Sequence, residues 1–282
     1  MRTIQELFQE GLSRLKDLPN PHLETKLLLL RAASLSETQF FTFPNKKIPG
    51  AQAREYYKLI SKRLTGFPLA YLTGTKEFWS IPFKVAPGIF IPRPETELIV
   101  EKVLELSSGR KENIVDIGTG CGNLAISLAK ELPQAQIVAT DTATKALKLA
   151  QLNASAQKIK NITFARGNLF SPLKRLQLMG KCDFIISNPP YVPRKEWKTL
   201  GREIQDFEPT CAFLAGENGL EIIKKLIQGA QVFLKPGGYL LLEFGYSQKK
   251  EILSLFESNS DWKEVNFHKD LSRTHRVVSG KK

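Results

Sequence analysis

Apolar residues in the first 65 positions recur at helical spacing. Thr3 and Glu6 make a capping-box pattern ahead of Leu7, Leu12 and Leu15, and Pro19-Asn20-Pro21 ends that segment before a second periodic stretch, Leu23 to Ala33. After Pro49-Gly50 the pattern predicts a third helix from Ala51 to Leu64. A small helical domain is therefore expected over residues 1–75. Between Gly66 and Pro94 the texture shifts to aromatics and β-formers broken by Gly and Pro, as in Tyr71 to Trp79 and Phe83 to Phe90, which predicts a hairpin linker over residues 76–93. Beyond Pro94 strand and helix patterns alternate. The predicted strands are Asn113–Ile117, Ala135–Thr140, Ile162–Ala165, Asp183–Ser187, Gly238–Phe244, Val265–His268 and Thr274–Val278, and the predicted helices are Thr96–Glu105, Leu124–Lys130, Ala143–Asn153 and Leu220–Phe233. This alternation indicates an α/β domain over residues 94–282, built from crossover units around a mostly parallel sheet. Ligands of such sheets bind beyond the carboxyl ends of the strands.

Composition narrows the classes without choosing a function. Hydrophobic residues make up 42% of the 282 and charged residues 24%, an ordinary globular balance that disfavours disorder or a disulfide scaffold. No apolar run approaches the roughly 18 to 20 residues of a membrane span. The stretch Met1 to Gly11 lacks a signal-peptide core, so a cytoplasmic location is expected. Cys121, Cys182 and Cys211 match no metal-ligand spacing, and no metal is expected; they read as reduced packing residues. The net charge of +13 favours an acidic partner, either nucleic acid or an acidic protein surface. The excess is shared as +6 over residues 1–90 and +7 over the remainder, so no dedicated basic arm is present. His22, His268 and His275 pair with no carboxylate or cysteine in the pattern and read as surface or packing residues.

The first chemical motif is Val115-Asp-Ile-Gly-Thr-Gly-Cys-Gly-Asn123, where a strand ends, a glycine-rich turn follows and a helix begins. A dinucleotide site would place glycine at the sixth position counted from Gly118, but Asn123 stands there, and Asp116 sits where a pyrophosphate would be repelled. S-adenosylmethionine carries an ammonium and a sulfonium, so an acidic strand end favours it. A purely structural turn is the alternative. Asp141 closes the second strand, 21 positions after Gly120, where a carboxylate can accept both ribose hydroxyls of an adenosine or can cap the following helix. Farther on, Asn168 could hold an adenine edge with Leu169 against the ring, or the two could belong to a plain loop.

The most informative string is Ser187-Asn-Pro-Pro-Tyr-Val192, at the end of the apolar strand Phe184 to Ser187. With proline usage of about 5%, Asn-Pro-Pro-Tyr arises by chance in about one chain of this length per thousand. Two prolines hold the backbone extended and remove two N–H donors, so the Asn188 oxygen and a nearby backbone carbonyl can both face a cleft as acceptors. Such a site receives an NH₂ group. Accepting its two hydrogens and aligning it with a sulfonium methyl raises the electron density on a reluctant nitrogen and removes orientational freedom. Tyr191 could stack on a planar acceptor or pack as an ordinary core aromatic.

Together, Asp116 to Gly122, Asp141 and Asn188 to Tyr191 resemble the class I S-adenosylmethionine-dependent N-methyltransferases. Pro68 to Phe78, Ile91-Pro-Arg-Pro-Glu-Thr-Glu97, and Phe207-Glu-Pro209 followed by Gly219-Leu220 further resemble the HemK/PrmC family of protein glutamine methyltransferases. The resemblance covers Gly66 to Val278. It implies a Rossmann-like, mostly parallel seven-stranded catalytic domain, joined through a β-hairpin to an N-terminal helical domain that docks the substrate. The implied cofactor is S-adenosyl-L-methionine, and the implied substrate is the Gly-Gly-Gln glutamine of class I peptide chain release factors. Carried over by position, Asp116, Gly118, Thr119, Gly120, Cys121, Gly122, Asp141, Asn168, Leu169 and Asn188 would contact the cofactor. Asn188 and Pro189 would be catalytic, gripping the glutamine NH₂, with Pro92, Arg93, Pro94, Pro190 and Tyr191 completing the acceptor pocket. Asn168 stands where many members have Asp, and Ser272 replaces a common Gly. Glu95 and Glu97 fall in the first turn of a helix, which favours carboxylates in any protein. A nucleic-acid enzyme acting on an exocyclic amine of adenine or guanine is the alternative. The N-terminal region shows no basic cluster with interleaved aromatics for it, so nucleic acid is not the expected substrate, and no membrane is involved.

Overall fold

The computed structural model describes residues 1–259 and 261–282. They divide into a helical unit, residues 1–75 with Arg202–Phe207, and a larger unit, residues 76–201 and 208–282.

The helical unit opens with β1 (Arg2–Thr3), α1 (Ile4–Arg14), α2 (Pro21–Ala33), α3 (Glu37–Thr42), β2 (Lys47–Ile48), α4 (Gly50–Leu64) and α5 (Leu69–Thr73). The capping box at Thr3 is formed in both directions: its hydroxyl accepts the Glu6 N–H at 3.2 Å and the Glu6 carboxylate accepts the Thr3 N–H at 2.8 Å. Leu7, Leu15, Leu28, Leu29 and Ile60 make the core of this unit, with Tyr56 donating its hydroxyl to the Leu7 carbonyl. A buried Arg63 holds Glu24 through two nitrogens and reaches Glu203 at 3.3 Å. Phe67 packs on Phe207 at 5.0 Å between ring centroids. That pair and the Arg63–Glu203 bond fasten Arg202–Phe207 to this unit.

Among the helices that the apolar pattern does not predict are α3 and α5. Leu69–Thr73, where the texture turns to aromatics and β-formers, is one helical turn because Pro68 sets its entry and Gly74, at φ 78°, closes it left-handed. Helix α3 is held by a second reciprocal cap between Ser36 and Gln39.

The larger unit begins with a hairpin, β3 (Thr75–Phe78) and β4 (Ile81–Lys84), whose Phe78, Ile81 and Phe83 are buried in the core of that unit. There follow α6 (Glu97–Leu106), β5 (Asn113–Ile117), α7 (Asn123–Glu131), β6 (Gln136–Asp141), α8 (Thr144–Ala156), β7 (Ile162–Arg166), α9 (Ser171–Arg175) and β8 (Cys182–Ser187). After α10 (Arg202–Phe207), which belongs to the helical unit, come α11 (Glu221–Phe233), β9 (Leu234–Glu243), α12 (Lys249–Glu257), β10 (Lys263–Lys269) and β11 (His275–Lys281). Among the described residues one seven-stranded sheet has the order β10-β11-β9-β8-β5-β6-β7. The five strands from β9 to β7 run parallel, and β11 and β10 pair antiparallel at the other edge. This is the expected α/β architecture.

The central strands are apolar on both faces because both faces are covered. Ile114, Phe184, Ile186 and Leu241 point to the layer of α6, α7 and the hairpin, whereas Val115, Ile117, Ile185, Leu240 and Leu242 point to the layer of α11 and α12. The alternation follows the two-residue period of a strand. The chain steps outward from β5 to β6 and β7, then returns to β8 on the other side of β5. The loops after β5 and β8 therefore diverge and leave a crevice at their carboxyl ends. The hairpin is pinned beside that crevice by Asn153 of α8, whose amide accepts the Lys84 N–H at 2.8 Å and donates to the carbonyls of Lys84 at 3.0 Å and Cys121 at 2.9 Å.

Replacing the buried Asn153 with Ala leaves those three backbone groups without their partner, at about 1 to 3 kcal/mol for each buried orphan. The expected loss in urea unfolding is about 3 kcal/mol; a loss under about 1 kcal/mol would contradict this role for the side chain.

Candidate active site

A cavity of about 280 Å³ lies at the carboxyl ends of β5, β6, β7 and β8. Its walls include Asp116, Gly118, Thr119, Gly120, Cys121, Asp141, Asn168, Leu169, Asn188, Pro189 and Pro190, so most of the residues expected at the site converge there. Gly88, Ile89, Phe90, Thr96, Pro209, Cys211 and Ala212 line it as well.

The glycine-rich turn is fastened to the neighbouring strand. The N–H groups of Gly118 and Thr119 donate to the Thr140 carbonyl at 2.9 and 2.8 Å, and the Gly120 N–H donates to Asp141 Oδ2 at 3.0 Å. Side chains at Gly118 and Gly120 would meet nothing within 4 Å, so the backbone there is open to a ligand. Gly122 works differently. It stands at φ 88°, and a Cβ there would come within 2.9 Å of Ile126 and 3.0 Å of Ala150, so its bareness lets α7 pack and it does not line the cavity.

Asp141 uses its other oxygen to accept the Ala143 N–H at 2.8 Å, forming an Asx-type turn. The cap position of α8 is held by Ala143 itself, without a side-chain bond, so the helix-cap alternative for Asp141 is not what the loop adopts. The Asp116 carboxylate is buried, with Oδ2 accepting from the Thr119 hydroxyl at 2.6 Å and Oδ1 left without a hydrogen-bond partner. Burial pushes its carboxyl up to about 7, against the hydrogen bond from Thr119. Burial also raises Asp141, against the N–H groups of Ala143, Gly120 and Thr142. Leu169 is held left-handed at φ 46°, a strained conformation for a branched side chain and one found at ligand sites.

At the end of β8 the Ser187 hydroxyl bonds the Ile117 carbonyl at 2.6 Å, locking the two strand ends on either side of the crevice. The half-buried Asn188 donates Nδ2–H to Thr96 Oγ1 at 2.9 Å, and the Thr96 hydroxyl donates to Glu243 Oε2 at 2.6 Å. The Tyr191 hydroxyl donates to Glu243 Oε1 at 3.1 Å while its ring packs in the apolar layer beneath, so Tyr191 takes the packed-aromatic alternative and is not on the cavity wall. Glu243 is buried, which pushes its carboxyl up to about 7 despite hydrogen bonds from Thr96 and Tyr191.

Pro92, Arg93 and Pro94 also stand off the cavity wall. Arg93 turns to the buried Glu208, which additionally accepts the Ile91 N–H at 3.1 Å. Glu208 therefore braces the strand-like stretch leading into α6, and the next residue, Pro209, reaches the cavity. Glu97 accepts the Trp79 N–H at 2.7 Å and closes the hairpin turn. Gly219 stands at φ 75°, where a Cβ would lie 2.3 Å from the Tyr191 carbonyl. That carbonyl accepts from Gln248 Nε2 at 2.9 Å.

Comparison with known proteins gives this geometry its family. A family model described as PrmC N-terminal domain matches residues 6–74, and one described as Methyltransferase small domain matches residues 83–205. A release factor glutamine methyltransferase from Koribacter versatilis (strain Ellin345) is 36% identical over 99% of this chain and 99% of its own. Another from Coxiella burnetii (strain RSA 493 / Nine Mile phase I) is 38% identical over 92% of this chain and 91% of its own. The chain belongs to the release factor glutamine methyltransferase family. A methyltransferase structure from Pyrococcus furiosus, 19% identical, superposes with a TM-score of 0.50 over 82% of this chain and 97% of that one, which agrees on the fold.

Motif reading did not single out Thr96 and Glu243 as partners of Asn188. Thr96 and Glu243 lie far from Asn188 in sequence and meet it only through the fold. Thr96 was visible inside the Pro-Arg-Pro-Glu-Thr-Glu stretch, and Glu243 as an acid ending an apolar strand; neither pattern names a partner.

Asp116 and Glu243 keep protons in the folded protein at pH values where the unfolded chain has released them, so their stabilising effect is present below about pH 4 and lost as pH rises through about 7; burial shifts Asp141 in the same direction. We expect the ligand-free protein to lose unfolding free energy between pH 4.5 and 7. The Asp116→Asn, Glu243→Gln double variant should show a flatter profile in denaturant titrations. An equally steep profile would contradict these ionisations.

Proposed function

We propose that the protein transfers a methyl group from S-adenosylmethionine to the side-chain amide nitrogen of the glutamine in the Gly-Gly-Gln motif of class I peptide chain release factors. The observation that carries this reading is the Asn188 carboxamide on the cavity wall, with its Nδ2 committed to Thr96 and its oxygen left as an acceptor. Family membership favours this substrate over an exocyclic amine of adenine or guanine.

S-adenosylmethionine supplies an electrophilic methyl carbon on a sulfonium sulfur. The residues present fit it. A buried carboxylate with an unpartnered oxygen, Asp116, matches the cationic part of such a ligand. The turn Gly118 to Cys121 on the cavity wall, open at Gly118 and Gly120, would border the methionine portion, and the lone pairs remaining on Asp141 would accept the ribose hydroxyls. Asn168 and Leu169 would border the adenine.

On the acceptor side, Asn188 Oδ1 and the Pro189 carbonyl would accept the two hydrogens of the glutamine NH₂. An amide nitrogen is a poor nucleophile because its lone pair is delocalised. Two acceptors on its hydrogens oppose that delocalisation and fix its direction of attack, so no base is needed before transfer. The product nitrogen then releases a proton to water. Pro190 would flank the acceptor. Pro92, Arg93, Pro94 and Tyr191 would act from behind the wall, through Glu208 and Glu243. The helical unit would dock the protein substrate in the cytoplasm, with neither nucleic acid as substrate nor a membrane involved.

The test mixes the purified protein and labelled S-adenosylmethionine with a release factor, with its Gln→Ala version, or with duplex DNA. The label is expected on the motif glutamine alone, located by peptide mass spectrometry. Asn188→Ala should lower transfer about 100-fold or more with donor affinity nearly intact, as loss of a preorganised contact does. Label in DNA, or equal label in the Gln→Ala factor, would overturn the reading.

A further inference from the structure

A carboxamide can sit in the same plane two ways round, with oxygen or nitrogen foremost. At Asn188 the choice is decided by the hydrogen-bonded pair Thr96 and Glu243. The Thr96 hydroxyl is buried and has one proton. Its neighbour Glu243 already accepts the Tyr191 hydroxyl on Oε1, so an ionised carboxylate takes the Thr96 proton on Oε2. Thr96 Oγ1 then has only lone pairs to offer, and the part of Asn188 that fits against a lone pair is Nδ2. The oxygen is thereby turned toward the cavity.

Resting on the reading above, we propose that Thr96 and ionised Glu243 are positioning residues that keep the Asn188 carboxamide oxygen, not its NH₂, facing the acceptor nitrogen. A neutral Glu243 could donate to Thr96, which could then donate to Asn188 Oδ1 and present the NH₂ of Asn188 to the NH₂ of the substrate. Two donors would oppose each other there. The groups that face Glu243 are the hydroxyls of Thr96 and Tyr191, the Glu95 carboxylate, which disfavours its ionisation, and the Arg276 guanidinium, which favours it. Arg276 is itself held by Asp270 at 3.3 Å. Burial dominates this set and pushes the carboxyl up to about 7, so the orientation should become fixed as pH rises through that region.

The test compares Thr96→Val, Thr96→Ser and Glu243→Gln with the wild type, using labelled S-adenosylmethionine and a release factor. Thr96→Val and Glu243→Gln should lower kcat at least 10-fold while donor Kd, measured by calorimetry, changes less than about 3-fold. Thr96→Ser, which keeps the hydroxyl, should restore most of the turnover lost in Thr96→Val. In wild type kcat should rise with pH across about 6 to 8, and that limb should vanish in Glu243→Gln. The side-chain NH₂ of Asn188, assigned in ¹H–¹⁵N spectra by its absence in Asn188→Asp, should show slow exchange in wild type and fast exchange in Thr96→Val. Wild-type kcat in both Thr96→Val and Glu243→Gln, or an unchanged Asn188 NH₂ signal in Thr96→Val, would overturn the proposal. Failure of the wild type to methylate the glutamine would sink the substrate reading instead, while the spectra would still decide how the amide is held.

Discussion

The Thr96 hydroxyl has one proton, and the buried Glu243 carboxylate 2.6 Å away takes it, so the lone pairs of Thr96 face Asn188 and claim its Nδ2 at 2.9 Å. Three elements distant in sequence have to be in place for this: the turn entering α6, the end of β9 and the end of β8. Much of the surrounding structure serves to hold them. Ser187 ties the end of β8 to β5, Glu208 braces the stretch before α6, and Gln248 with Gly219 fixes the backbone leaving Tyr191. The two prolines after Asn188 stiffen the same loop from within and withdraw backbone donors from the place where an NH₂ would arrive.

The other end of the cavity is governed by the opposite requirement. Asp116 is a carboxylate buried with one oxygen unpartnered, an arrangement that costs stability in the free protein and favours a cationic ligand. Asp141 is anchored by two backbone N–H groups, one from the glycine turn and one from the entry to α8. The acidic cofactor side and the oriented amide side are thus joined through the ends of adjacent parallel strands, β5 and β8, and the Ser187 bond sets their spacing. In the proposed reaction this joins methyl donor and acceptor nitrogen in one rigid frame.

The sequence was most informative where local chemistry is strong. Central strands such as Asn113–Ile117 were legible because both of their faces are apolar, and α1 because Thr3 and Glu6 cap it reciprocally. The cavity could be anticipated from Asp116, Asp141 and Asn188, each at the carboxyl end of a strand. Elements of one turn were hidden: α5 is defined by Pro68 and Gly74 and not by any apolar period, and α3 by a Ser36–Gln39 cap. The supporting shell was hidden for a different reason. Nothing in the chain between Thr96 and Glu243 signals that their side chains meet, and Arg93, read as a pocket wall, finds a buried carboxylate partner 115 positions away. Tyr191 was visible as a motif member, but which way its ring turned depended on the apolar layer beneath it.

Which atom of Asn188 faces the acceptor can be read from a crystal structure with S-adenosylhomocysteine and a Gly-Gly-Gln peptide. The glutamine Nε2 is expected within about 3 Å of both Asn188 Oδ1 and the Pro189 carbonyl oxygen, with Asn188 Nδ2 still on Thr96. A glutamine held elsewhere, or an Asn188 whose oxygen bonds Thr96 while its NH₂ faces the peptide, would contradict it.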